Sequence, residues 1–148
     1  MQISSRFTIA IHILICIDLY GEKEPATSES LARSIGAHPV VIRRILGQLR
    51  RAELITVARG REGGAHIACP RGEITLADIF RAVESIGGNT LFSFHEKPNP
   101  ACPIGRSIHT ILDRRLDAIQ RAMERAMETV TLADLVKEAW MHAAEPSQ

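Results

Sequence analysis

The sequence predicts a mainly α-helical protein with a small β-hairpin and one long helix towards its C-terminus. Three observations predict it. Apolar residues recur at helical spacing over most of the 148 residues. One short stretch, 54–69, alternates with period two around a glycine-rich turn. A narrow apolar seam then runs for about three heptads beyond residue 104. The chain is 45% hydrophobic and 24% charged, ordinary for a globular protein, which rules out disordered and fibrous classes. It is long enough to bury a core without disulfides or metals.

The first element is a helix from Ser4 to Tyr20. Phe7, Ile9, Ile11, Ile13, Leu14, Ile15, Ile17 and Leu19 leave it little polar surface. A helix apolar nearly all round is buried on several sides, which in so small a protein points to cover from a second chain. The run is too short to span a bilayer, and no small-residue cleavage site follows it. A cytoplasmic protein without membrane association is expected.

After the loop around Pro25, Thr27 or Ser28 offers an N-cap for a short helix through Ile35, ended by Gly36. Pro39 suits the first position of the next helix, which runs to about Ala52. Two short helices joined by a glycine-containing turn form a helix-turn-helix. On the second, Ile42, Ile45, Leu46 and Leu49 share a core face. Val40, Arg44, Gly47 and Arg51 lie opposite, with Arg43 and Gln48 on the flanks. Arginine for guanine edges or phosphates, valine for a thymine methyl and glycine for close approach suit a DNA major groove.

Strands at Leu54–Ala58 and His66–Cys69 flank a tip holding Arg59, Gly60, Arg61, Gly63 and Gly64. Glycine lets the backbone approach a sugar–phosphate chain, and the arginines make the tip cationic. A basic hairpin directly after a helix-turn-helix makes a winged helix. Charge agrees: from Arg33 to Arg71 there are eight arginines and two glutamates, whereas from Leu76 onward ten acidic residues outnumber eight basic ones. The whole chain has a net charge of only +1, so the positive block is local.

Thr75-Leu76-Ala77-Asp78 is a capping box opening a helix to about Ile86, and the tetrapeptide recurs as Thr131-Leu132-Ala133-Asp134. Residues 87–103 form a loop rich in Gly, Pro and Asn. A long helix follows from Ile104 to Val130, with a seam of His109, Leu112, Leu116, Ile119, Met123, Ala126 and Val130. Such a seam wants a partner, and a symmetric homodimer is the commonest solution. A last helix runs from Leu132 to about His142. The chain thus divides into a DNA-binding unit (1–87), a sensor-type loop (88–103) and a dimerisation helix with a C-terminal helix (104–148).

The order of elements resembles the Rrf family of bacterial winged-helix regulators. That family includes an iron–sulfur cluster regulator, a nitric-oxide-sensing repressor and a cysteine-metabolism repressor. The stretches SSRFTIAIHIL, PVVIRRILGQLRRAELI, RGREGGAHIACP, ITLADIFRAVE and NPACPIG carry the resemblance, from Ser4 to about Lys137. It implies a homodimer on a pseudo-palindromic operator, with the helix from Pro39 in the major groove and the hairpin on the minor groove or backbone. The candidate DNA-contacting residues are Ser28, His38, Val40, Val41, Arg43, Arg44, Gly47, Arg51, Arg59, Gly60, Arg61, Gly63 and Gly64. At the hairpin tip, Arg61-Glu62 stand where the family usually has Pro-Gly, so no operator sequence carries over.

Cluster-sensing members carry three closely spaced cysteines in the loop before the long helix. This chain has only Cys102 there, and its other cysteines, Cys16 and Cys69, fall in core positions. No iron–sulfur cluster or other cofactor is therefore expected. His95, Cys102 and His109 are spaced seven apart without an evident fourth ligand, so no metal site is expected either. Cys102 lies just ahead of a helix N-terminus and is the candidate redox sensor; the alternative is an ordinary cysteine packed at the dimer helix. No hydrolase, phosphate-loop, dinucleotide or metalloprotease signature is present, which argues against an enzyme. The expected function is a DNA-binding transcriptional regulator, a repressor responsive to thiols or redox state. The alternative is a winged-helix adaptor acting through a regulatory partner protein.

Overall fold

The computed structural model describes residues 5–60, 63–84, 92 and 95–144. Along the chain run α1 (Ser5–Tyr20), α2 (Ser28–Ile35), α3 (Pro39–Arg51), β1 (Ile55–Ala58), β2 (Gly64–Ile67), α4 (Leu76–Val83), α5 (Pro103–Glu128) and α6 (Leu132–Ala144). The two strands pair antiparallel, with Ile55 opposite Ile67 and Ala58 opposite Gly64. The end expected for α4, Ile86, lies outside the described residues.

The apolar helix α1 is the hub. It packs against α2, α3, α4, α6 and β2. Ala10, Ile13, Leu14, Cys16 and Ile17 are buried, and Ile9, Ile11, Ile15 and Leu19 are partly buried against the same core. Its apolar surface is therefore taken up largely by its own chain, with Tyr20 left 46% exposed. Phe7 meets Phe80 of α4 edge to face, with ring centroids 5.3 Å apart.

The short helices are held by their ends. Thr27 caps α2: its hydroxyl accepts from Ser30 N at 3.1 Å, and Ser30 Oγ accepts from Thr27 N at 3.0 Å. Gly36 ends α2 in the left-handed region at φ 71°. His38 then caps α3 through its Nδ1, which accepts from Val40 N at 3.2 Å. Ile42, Ile45 and Leu49 of α3 are fully buried, which fixes the helix's rotation and turns its other face outward.

Gln48 departs from its expected flanking position. It is 8% exposed, and its Nε2 donates to Val83 O at the end of α4 at 3.1 Å. The amide thus ties α3 to the C-terminal end of α4.

The helix α6, grouped by sequence with the dimerisation unit, packs back on α1 and adds Leu132 and Val136 to the core. None of α5 is buried. An ion pair between Arg81 and Glu128, at 2.9 Å, joins α4 to its C-terminal end. Of the expected seam, His109, Leu112, Leu116, Met123 and Val130 are half-buried, while Ile119 and Ala126 are exposed. Ile104 and Ile111, which the sequence reading left out, are 63% and 43% exposed. The uncovered apolar edge of α5 thus runs through Ile104, Ile111 and the seam residue Ile119.

Candidate nucleic-acid interface

The outward face of α3 carries Val40, Val41, Arg43, Arg44, Arg50 and Arg51, all exposed. Two valines stand on this water-facing helix surface, Val40 52% and Val41 37% exposed. Gly47 sits among these residues, and a Cβ there would meet only Arg51 Nη1 at 3.7 Å. The face is therefore low in its middle and cationic along its sides. Arg44, Arg50, Arg51 and Arg59 form no ion pair among the described residues.

Arg43 is different. Its Nη2 donates to Glu29 Oε1 at 2.6 Å, and its Nε donates to Ser28 Oγ at 3.3 Å. Ser28 Oγ in turn donates to Glu29 Oε2 at 2.8 Å. The hydrogen bonds from Arg43, with those from Ser28, hold the Glu29 carboxyl below its ordinary range. Ser28 is thus placed on the candidate face, but as a partner of Arg43.

A cleft of about 520 Å³ separates α3 from the hairpin. Ser28, Glu29, Arg43, Gly47 and Arg50 line one side, and Val57 and Gly60 the other. Arg50 was missed by the sequence reading. Its signal was available: it lies seven residues after Arg43, on the same side of the helix.

The hairpin supplies Arg59, exposed just after β1, and Gly60 at φ 108°. The turn closes with Gly63 N donating to Gly60 O at 2.9 Å. Arg61 lies outside the described residues. Gly63 and Gly64 do not form an exposed tip: both are buried. Gly64 adopts φ 148°, and a Cβ on it would stand 2.9 Å from Ala26 N. Ala65 N also donates to Ala26 O at 3.0 Å. Gly64 thus docks the hairpin against the segment before α2, while a Cβ on Gly63 would stand 2.7 Å from Ala58 O, within the hairpin's own backbone.

Beyond the interface, Cys102 is exposed and precedes α5 without a side-chain capping bond. Cys16 is buried, with its sulfur 3.6 Å from Ser34 Oγ. Cys69 is half-buried; burial raises its thiol's pKa, and Glu73 and Asp78 add to the effect. The rings of His95 and His109 approach to 6.2 Å. Among the described residues no three His, Cys, Asp or Glu side chains group to hold a metal.

A helix-turn-helix with an exposed arginine-and-valine face, followed at once by a cationic hairpin, defines a winged-helix DNA-binding protein of the transcription-regulator class. Comparison with known families gives the particular group. The family described as Rrf2, iron-dependent transcriptional regulator, matches residues 3–138, and the chain belongs to it. A Bacillus subtilis relative named as an HTH-type transcriptional regulator, YwnA, is 37% identical over 135 residues, covering 91% of this chain and 97% of its own. A crystal structure described as a DNA-binding protein matches with TM-score 0.69 and 32% identity, covering 88% of this chain and 97% of its own. CymR of Bacillus subtilis shares the fold, with TM-score 0.64 at 23% identity over 93% of this chain and 98% of its own. The protein is a DNA-binding transcriptional regulator and not an enzyme. No described helix is long and apolar enough to cross a membrane.

The family description carries iron, and the residues present do not fit a cysteine-held cluster. Between residues 85 and 103 the chain offers His95, Glu96 and Cys102 as donors, a single thiol among them. Cys16 and Cys69 are committed to the body around α1 and the hairpin.

Proposed function

We propose that the protein is a cytoplasmic, homodimeric repressor that reads a pseudo-palindromic operator and holds no resident iron–sulfur cluster. The observation that carries this reading is the exposed face of α3, where Val40, Val41, Arg44 and Arg51 stand free of structural duties. Each α3 enters a major groove. Arg59 and the neighbouring hairpin turn follow the adjacent backbone. Two such units joined along α5 present their recognition helices about one helical turn apart, roughly 34 Å on B-DNA. A thiol-directed signal acts at Cys102 in this reading, because it is the exposed thiol and lies at the joint between the loop and α5.

The test is selection of bound duplexes from a random-sequence library, followed by affinity measurements on the enriched sequence. The expected product is an inverted repeat. An Arg44→Ala, Arg59→Ala double variant should bind it far more weakly, by at least tenfold if each arginine contributes about 1 kcal/mol or more. Normal binding by that variant would overturn the reading. The same purified protein should be colourless after anaerobic purification; iron–sulfur absorbance would overturn the cluster-free part.

A further inference from the structure

We propose that Glu29 is a specificity-determining residue of this regulator: it buttresses Arg43 for base reading and disfavours non-specific duplex. The inference rests on the operator-reading role given above. Glu29 is an acidic side chain on a face otherwise built to meet phosphates. It lines the cleft with Ser28, Arg43 and Arg50. Its ion pair with Arg43 is solvent-exposed, with the two side chains 58% and 61% accessible, so it contributes little to folding. A pair of low structural value in the middle of a DNA-facing surface is better explained by what it does to recognition.

The atoms show how. Arg43 spends its Nε–H on Ser28 and one Nη2–H on Glu29. Ser28 closes the ring by donating to the other Glu29 oxygen. Three of the five guanidinium hydrogens remain: two on Nη1 and one on Nη2. One from each nitrogen forms the end-on fork that pairs with guanine O6 and N7. The ring therefore fixes the plane of the guanidinium and leaves its base-reading edge open. It also reduces the loss of rotamer freedom on binding, which a loose arginine would suffer in full.

Glu29 has a second effect through its charge. Non-specific binding comes from cations meeting phosphates. A carboxylate neutralises Arg43 as a phosphate ligand and repels a backbone that enters the cleft out of register. The same group helps the correct duplex and penalises the wrong one, which is how specificity is built.

The experiment compares Glu29→Gln with the wild type on two duplexes: the sequence enriched from the random library and the same duplex with both half-sites scrambled. Glu29→Gln should bind the scrambled duplex more tightly, with a salt slope steeper by about one as Arg43 becomes free to meet phosphate. The ratio of specific to non-specific affinity should fall about tenfold, within the range of one bidentate arginine–guanine pair. In an Arg43→Ala background most of that loss should disappear, leaving only the small part due to direct repulsion between Glu29 and the duplex backbone. Thermal melting checks that the exposed substitutions leave the fold intact. Equal shifts on both duplexes, or the same loss of ratio without Arg43, would overturn the assignment of Glu29 alone. Failure of the library to enrich any sequence would overturn the operator-reading role and this inference with it.

Discussion

Thr75 and Thr131 face each other across an antiparallel bridge, each capping its own helix. Leu76 N donates to Val130 O at 2.9 Å and Leu132 N to Ile74 O at 2.7 Å, so the two Thr-Leu-Ala-Asp segments pair back to back. The repeated tetrapeptide is thus one joint: it fixes the start of α6 beside the start of α4 and returns the chain from α5 to the core. In each box the threonine hydroxyl accepts from the aspartate N–H, and the aspartate accepts from the threonine N–H and hydroxyl.

The hydrogen bonds from Thr131 backbone and hydroxyl lower the Asp134 pKa from its ordinary value of 3.8. A carboxyl held low in the folded state stabilises the fold above its unfolded value, and that contribution disappears as pH falls through the lower folded value. Asp134→Asn should therefore be less stable than wild type near neutral pH, and the difference should shrink as pH drops below 3.8. Urea unfolding across acid pH measures it; a gap that widens on acidification would contradict the capping role. Asp78→Ala, in the half-buried box, should cost about 1 kcal/mol at neutral pH.

Two backbone positions make opposite predictions. α3 ends in a Schellman motif: Leu54 N donates to Leu49 O and Glu53 N to Arg50 O, both at 3.0 Å. Glu53 occupies the left-handed position at φ 60°, where glycine is the usual residue. Glu53→Gly should stabilise the protein by roughly 0.5–1 kcal/mol, since relief of the left-handed strain exceeds the added chain entropy. Gly64→Ala should destabilise it by about 1–3 kcal/mol, because the position has φ 148° and no room beside Ala26. Chemical denaturation of both variants checks the signs.

Much of this fold was legible because its boundaries are made by local chemistry. Thr27, Gly36, Pro39 and Thr75 each mark an end that depends on their own side chain or backbone, so the sequence could place them. What depended on tertiary neighbours was not legible. Gln48 looks like a flanking polar residue until α4 delivers Val83 O to it. Gly63 and Gly64 look like a flexible tip until the space a side chain would need is seen to be filled, by the hairpin's own backbone at Gly63 and by the segment before α2 at Gly64. The Glu29–Arg43 pair joins two helices across fourteen residues, a separation that no helical periodicity reports. On α5, periodicity found an apolar stripe but could not tell which edge the rest of the chain covers.

Arg50 tests the cleft as a path for the DNA backbone. It is exposed on the Arg43 side of α3 and lines the cleft opposite Val57 and Gly60. Arg50→Ala should weaken binding to specific and scrambled duplexes alike, and the salt slope should fall by about one. Fluorescence anisotropy over a range of salt concentrations reads both quantities. A loss confined to one sequence would instead make Arg50 a base reader.

The exposed edge of α5 sets the last prediction. Ile119 is 54% exposed, so a charge placed there meets water in the isolated chain and leaves the core untouched. The same charge at a twofold interface would be buried against its own copy, at a cost of several kcal/mol. Ile119→Glu should therefore yield a folded monomer: unchanged helical circular dichroism, with sedimentation at half the wild-type mass. Ile111→Glu, on the same uncovered edge, should act likewise, whereas a charge at half-buried Leu116 should also lower the melting temperature. Operator binding by the monomer should be weak, because a single recognition helix forfeits the second half-site and its effective concentration. A dimer that survives both isoleucine substitutions would place the interface away from this edge of α5.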